Sequence, residues 1–291
     1  MKLSIHTDRL CSRFGAVCAI KMIAAAGFEA ADYSMYYDDN AVFARGGRVL
    51  ASELSRVASS YGLVFNQAHA PFSDFHIGED SRNRKIYESI RESIVTASHL
   101  GAPVIVVHPA EICPRLSADE RFEMNAELFG RLSAVGRDYG VGIAIENVWV
   151  RHPHDRDRLV GGVCSDAAEL IRYADAFSEL GITVCFDSGH AGIVGESAAG
   201  MVMALGDRIK HIHLHDNDFE TDRHTLPYLE KTNFSSLAKA LGKVGYSGDV
   251  TLESDGFFKN MPDALVEPAL LFSRSVASHI RDEIEKYGKE Y

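Results

Sequence analysis

The heptapeptide IKHIHLH, residues 209–215, alternates apolar and ionisable side chains with a period of two. That spacing predicts a strand carrying Ile212 and Leu214 on one face and His211, His213 and His215 on the other. Seven further runs of strand length surround it: LSIHT (3–7), FEAADYS (28–34), LVFNQAH (63–69), PVIVVH (103–108), VGIAIEN (141–147), ITVCFD (182–187) and DVTLES (249–254). Longer amphipathic stretches follow each strand, near 10–26, 48–61, 81–100, 117–139, 165–179, 196–206, 233–244 and 262–287. Regular alternation of this kind predicts a parallel sheet, and eight repeats predict an α/β fold closed as a (β/α)8 barrel. An open doubly wound sheet would place a glycine-rich turn after the first strand, whereas no glycine occurs before Gly15. Ser117 before Glu120, Ser165 ahead of an alanine-rich run, and Asn233 or Ser235 read as helix starts. Gly27, Gly62, Gly101, Gly140, Gly181 and Gly245 each precede a strand, where a left-handed helix end is wanted. With no linker or low-complexity tract, residues 1–291 read as a single domain.

At 291 residues, 46% hydrophobic and 24% charged, the chain has globular composition. Thirty basic against 41 acidic residues leave a net charge of −11. Such a balance opposes phosphate neutralisation, so neither nucleic acid nor an anionic membrane is an expected partner. The opening MKLSIHTDRL has ionisable residues where a signal peptide needs an apolar core, and no run approaches the roughly 18 apolar residues of a membrane span. Five cysteines, Cys11, Cys18, Cys113, Cys164 and Cys185, are odd in number and form no C-x-x-C pair. They read as reduced thiols of a cytoplasmic protein, and a homo-oligomer is allowed.

In a barrel, alternate strand residues face the interior, and the last of them at the carboxyl end opens into the mouth. Ile143 and Ile145 facing the helices would turn Ala144 and Glu146 inward. Val184 and Phe186 would likewise leave Cys185 and Asp187 inside, and Val250 and Leu252 would leave Thr251 and Glu253. Gln67 and His69, then Val106 and His108, follow the same rule. Six strand ends thus aim Asp, Glu or His at one mouth. Taken singly these are ordinary strand caps. Together, converging carboxylates would bear a desolvation cost of several kcal/mol each unless a cation compensates them. Two Glu, one Asp and one His suit one divalent ion, Mn, Mg, Co or Zn. No nucleotide cofactor is indicated.

HAPF (69–72), HP (108–109), IEN (145–147), DSGH (187–190), HIHLHDN (211–217), DRH (222–224) and LES (252–254) occur in an order that resembles the xylose-isomerase-like TIM barrels. That superfamily holds sugar-phosphate isomerases and epimerases and endonuclease IV, and the resemblance spans nearly the whole chain. Matching its ketose 3-epimerases implies metal ligands Glu146, Asp187, His213 and Glu253, with His190 on the substrate. Glu146 and Glu253 would double as the catalytic acid and base. The implied activity is isomerisation or epimerisation of a small sugar or sugar phosphate by proton transfer through a metal-stabilised enediolate. His69, His108, His224 and Trp149 would line the substrate. Arg223 would stand in for an arginine that these epimerases carry near Phe219.

Matching endonuclease IV instead implies three zinc ions on His69, His108, Glu146, Asp187, His190, His213, Asp222, His224 and Glu253, acting as an abasic-site phosphodiesterase. A metal-dependent dehydratase and a non-enzymatic polyol binder are the other readings. Residues 151–158, RHPHDRDR, read either as a lid or as a solvated loop, and residues 34–37 read as aromatics over a sugar ring or as rim cover. His99, His152, His154 and His279 read as ordinary surface or helix residues.

Overall fold

Edge-to-edge pairing of the short β-branched runs organises the whole chain in the computed structural model. It describes residues 1–36, 47–73, 75, 76, 78–111, 116–152 and 154–289, so Tyr37, Cys113 and Pro153 lie outside the described residues. In chain order β1 (Leu3–His6) leads into α1 (Asp8–Phe14) and α2 (Ala16–Ala25). Then β2 (Ala30–Ser34) leads into α3 (Gly47–Ser60), β3 (Val64–His69) into α4 (Asp80–Leu100), and β4 (Val104–Val107) into α5 (Ala118–Tyr139). After β5 (Gly142–Glu146) comes a hairpin, β6 (Trp149–His152) and β7 (Asp155–Gly161), before α6 (Ala167–Ala176). Finally β8 (Ile182–Asp187) precedes α7 (Ser188–Ile193) and α8 (Ala198–Leu205), β9 (Ile209–His213) precedes α9 (Phe234–Lys243), and β10 (Val250–Leu252) precedes α10 (Asp263–Gly288).

Eight parallel strands run in the order β10-β1-β2-β3-β4-β5-β8-β9. A parallel bridge from Leu214 to Leu252 joins the ends of that series and closes the TIM barrel. The period-two rule holds around it. Leu3, Ile5, Ile105, Val107, Ile143, Ile145, Val184, Phe186, Ile212, Leu214, Val250 and Leu252 pack outward into the core shared with the helices. Val104, Val106, Ala144 and Cys185 form a separate inner cluster. Burying each large aliphatic contributes about 1.5–3 kcal/mol, so reversing any strand would cost several such terms at once.

Two register shifts refine this layering. Ala31 pairs with Phe65 and Asp32 with Gln67, passing over Asn66. Val184 pairs with Ile209 and Cys185 with His211, passing over Lys210. Each shift re-aims the side chains beyond it.

Helix ends follow local chemistry. Ser117 and Glu120 cap α5 reciprocally, and Asn233 rather than Ser235 caps α9. Ser165 is not the cap of α6: the longer Asp166 side chain reaches the Glu169 amide at 2.9 Å and takes that position. The helix expected over 10–26 is two, broken where Gly15 adopts φ +77°. All six glycines expected at helix ends have positive φ, from +68° at Gly140 to +86° at Gly27. Among the described residues, Cys11, Cys18, Cys164 and Cys185 are unbridged, and no helix is long and apolar enough to cross a membrane.

Candidate active site

The strand ends deliver Glu146, Asp187, His213 and Glu253 to the barrel mouth, all buried. One ligand atom of each lies within 4.8 Å of the others. Asn147 ties two of the strands together. Its amide donates to the Asp187 carbonyl at 2.9 Å and its side-chain oxygen accepts from the Asp187 N–H at 2.8 Å. The His213 Nδ1 atom lies 2.6 Å from Glu146 Oε1 and 3.4 Å from Glu253 Oε2. On the far side of Glu146, Oε2 faces His69 Nε2 at 3.2 Å and His108 Nε2 at 2.9 Å. The Tyr36 hydroxyl donates to Glu253 Oε1.

Electrostatics follow from this packing. Burial alone would raise the Glu146 carboxyl, but His213, with hydrogen bonds from His108 and His69, holds it well below the usual carboxylate range. Burial opposes a charge on His213 as well, yet Cys185, Glu253, Glu146 and Asp32 around it hold it well above an ordinary histidine. Asp187 Oδ2 and Glu253 Oε2 are buried and have no hydrogen-bond partner among the described residues. Orphaned carboxylate oxygens beside a histidine are the donor chemistry a divalent cation requires, so these four residues fit a metal.

A second group sits beside the first. His190, His215, Asp222 and His224 also bring ligand atoms within 4.8 Å of one another. His190 Nδ1 lies 2.9 Å from the Asn147 carbonyl, and His224 Nδ1 lies 3.0 Å from the Glu253 carbonyl. A carbonyl only accepts, so both Nδ1 atoms carry the proton and both Nε2 atoms turn towards Asp222 Oδ2, at 3.6 and 2.9 Å. Trp149 Nε1 donates to the same oxygen at 2.9 Å. His215 stacks on His224 with centroids 3.9 Å apart, and its ring nitrogens have no hydrogen bond among the described residues. Its Nε2 nevertheless lies 3.0 Å from Asp187 Oδ1. Burial lowers His190, but Asp187 and Asp222 outweigh it and raise its pKa to about 10.

This second group depends on a loop rather than on strand parity. Buried Asp216 accepts from the amides of Asn217, Glu230 and Thr232 at 3.0, 2.7 and 2.9 Å, pinning residues 217–232 across the mouth. Phe219, His224 and Tyr228 take positive φ in that loop.

Of the residues expected to line a substrate, His69, His108, His190, His224 and Trp149 are brought together here. Arg223 is not. Its guanidinium is half exposed, 2.7 Å from Asp218 Oδ2 and 3.1 Å from Glu230 Oε1, so its own loop's carboxylates hold it. The ring of Phe219 packs against Gly192, where an added Cβ would meet it at 2.2 Å. Arg151 and His152 belong to β6, and residues 155–158 belong to β7, which pairs antiparallel with it. Tyr36 stacks on Phe72 at 4.9 Å.

Four site residues escape the sequence reading of ligands and substrate contacts. Asp32 lies 2.9 Å from His213 Nε2, His6 Nδ1 lies 2.5 Å from Asp255 Oδ2, and His215 joins the second group. Parity already turns His215 inward and would have found two more. Outward Ile5 and Tyr33 oblige His6 and Asp32 to face inward.

Comparison with known proteins agrees with the fold. The family described as xylose isomerase-like TIM barrel matches residues 20–275. The chain therefore belongs to that family. An uncharacterized protein of Methanocaldococcus jannaschii is 32% identical over 210 residues, covering 70% of this chain and 67% of that protein. An inosose dehydratase of Clostridium perfringens is 27% identical over 182 residues, 59% of this chain and 55% of its own. A D-psicose 3-epimerase of Ruminiclostridium cellulolyticum is 20% identical over 288 residues, 88% and 90% of the two chains. Among solved structures, an L-ribulose 3-epimerase shares the fold with a TM-score of 0.76, at 14% identity over 99% of this chain and 96% of that one.

Proposed function

We propose that the chain is a divalent-metal-dependent sugar or sugar-phosphate isomerase/epimerase that moves a proton on the carbon beside a carbonyl. One observation carries this reading: Glu146 and Glu253, three strands apart around the barrel, both reach His213 Nδ1, at 2.6 and 3.4 Å, while their remaining oxygens have different partners. Two carboxyl groups in unlike environments are what paired acid and base work requires.

Glu146, Asp187, His213 and Glu253 would hold the cation, which when bound would polarise the substrate carbonyl and offset the carboxylate charge. An ionised Glu146 or Glu253 removes the proton from the carbon, leaving an enediolate. The opposite carboxyl, protonated, returns a proton to that carbon and inverts it. Return to the neighbouring carbon by the same carboxyl would interconvert aldose and ketose. His69, His108, His190, His224 and Trp149 supply hydrogen-bonding groups and an aromatic wall for hydroxyls. The sequence-similar D-psicose 3-epimerase supports the substrate class, and five cysteines, odd in number and without a C-x-x-C pair, support a cytoplasmic setting.

The test is solvent exchange. Protein loaded with Mn2+ and incubated with D-fructose, D-tagatose, D-psicose or their phosphates in D2O should place deuterium beside the carbonyl. Glu146→Gln with Glu253→Gln should end it. Loss of water without return of a proton would instead identify a dehydratase, in keeping with the inosose dehydratase relative. No exchange and no dehydration across inososes and these sugars would overturn the reading.

A second reading, a multi-metal abasic-site phosphodiesterase, draws on the group of His190, His215, Asp222 and His224. The net charge of −11 counts against polyanion binding. Three stoichiometric zinc ions together with cleavage of an abasic duplex would favour it.

A further inference from the structure

We infer that Asp32 is a positioning residue for the metal ligand His213, fixing which imidazole nitrogen faces the cation and thereby setting the affinity of the central site. The inference rests on the metal reading above. Asp32 belongs to none of the ligand groups, and three strand steps around the closed barrel separate β2 from β9. It reaches His213 through the barrel interior.

The bulge at Asn66 makes this contact. Because Asp32 pairs with Gln67 rather than Asn66, both side chains enter the same interior layer. Asp32 Oδ2 then lies 2.9 Å from His213 Nε2 and 2.9 Å from Gln67 Nε2, fully buried. The Gln67 and His213 nitrogens are themselves 2.8 Å apart.

Tautomer logic decides the roles. His213 Nδ1 faces Glu146 and Glu253, so it is the nitrogen a cation would take. A neutral imidazole giving its Nδ1 lone pair to a cation must carry its proton on Nε2. That N–H needs an acceptor. Turning the Gln67 amide to offer its oxygen would set that oxygen against Asp32 Oδ2 at 2.9 Å, two acceptors without a proton between them. Asp32 is therefore the acceptor, and Gln67 donates to the same oxygen.

The other Asp32 oxygen, Oδ1, is buried with no hydrogen bond among the described residues. A carboxylate left half unsatisfied is a poor structural filler, since an uncharged residue of similar size would avoid the desolvation cost. It makes sense as a charge that strengthens a ligand. Carboxylates placed behind metal-bound histidines typically alter metal affinity by about 10–100-fold.

The experiment titrates chelator-stripped protein with Mn2+ against a competing chelator, for the parent chain, Asp32→Asn, Glu146→Gln and Gln67→Leu. Asp32→Asn keeps an oxygen for Nε2–H and removes the charge. Its Mn2+ affinity should fall about 10–100-fold, with the circular dichroism of the metal-free protein unchanged. Glu146→Gln should lose more, and Gln67→Leu less. An Asp32→Asn protein that binds Mn2+ as tightly as the parent overturns the inference while the metal reading stands. A parent that binds no divalent cation overturns both. Should Asp32→Asn misfold, 1H–15N correlation on the Zn2+-loaded parent reads the tautomer directly. A proton on His213 Nε2 supports the assignment, and a proton on Nδ1 overturns it.

Discussion

The central group and its neighbour use the same side-chain chemistry but are built by different means. Glu146, Asp187, His213 and Glu253 stand where β5, β8, β9 and β10 end, and a pleated strand leaves their direction no choice. Asp222 and His224 stand on a loop whose path is set by three backbone hydrogen bonds to one carboxylate, Asp216. Closing the barrel forms the first group. The second forms only if the loop also folds, so it should be the softer of the two and the easier to remove alone.

The largest expected effect breaks the strand-borne side. Glu146→Gln or Glu253→Gln should lower turnover by at least about 100-fold, measured as deuterium incorporation into a ketose, and should weaken Mn2+ binding without unfolding the barrel. Next comes the loop. Asp216→Ala would leave three amides without their acceptor and should lower stability by about 2–4 kcal/mol, judged from a cost of about 1–3 kcal/mol per unsatisfied buried group and partial access of water. Chemical denaturation gives that figure. Metal analysis of the same variant should show the central group still loaded, and loss of both groups together would contradict the division drawn here.

A third expectation concerns protons. With His190 at about 10 and His213 well above its ordinary value in the metal-free cavity, a cation must displace a proton from either. Against burial, His224 is raised in the same way by Asp222 and Glu253, so affinity at the second group should climb as pH rises above neutrality, by up to about tenfold per pH unit for each histidine proton displaced. Calorimetry in buffers of different ionisation heat would count the protons released. Smaller again is Trp149→Phe, which deletes a single donor to Asp222 and should raise KM by about three- to tenfold, in line with about 1 kcal/mol for one hydrogen bond. Arg223→Ala should change kcat/KM by less than about twofold, because this exposed cation already answers Asp218 and Glu230.

The same contrast explains what could be read before the fold was known. Eight strands, the capping box at Ser117 and the left-handed glycines are local or period-two features, so they show in the chain itself. The inward aim of Glu146, Asp187, His213 and Glu253 follows from parity, and His6 and Asp32 were equally legible at the first two strands. Gln67 was placed inside, but its partner was not, since the bulge that pairs it with Asp32 leaves no mark in composition. The hairpin within RHPHDRDR is hidden for a different reason: a stretch of charged residues with few apolar ones has no alternation to betray its strands. Arg223 is paired with Asp218 and Glu230, partners set by the loop's tertiary course and so not legible in the chain.

Asp187 divides its two oxygens. Oδ1 accepts the His190 amide at 2.7 Å as the first bond of α7 and lies 3.0 Å from His215 Nε2, while Oδ2, beside the central group, has no hydrogen-bond partner among the described residues. A cation that draws this carboxylate therefore pulls on the six-residue helix that holds His190. Were the second group also to hold a ligand, any coupling carried through Asp187 would by reciprocity be equal whichever group is loaded first.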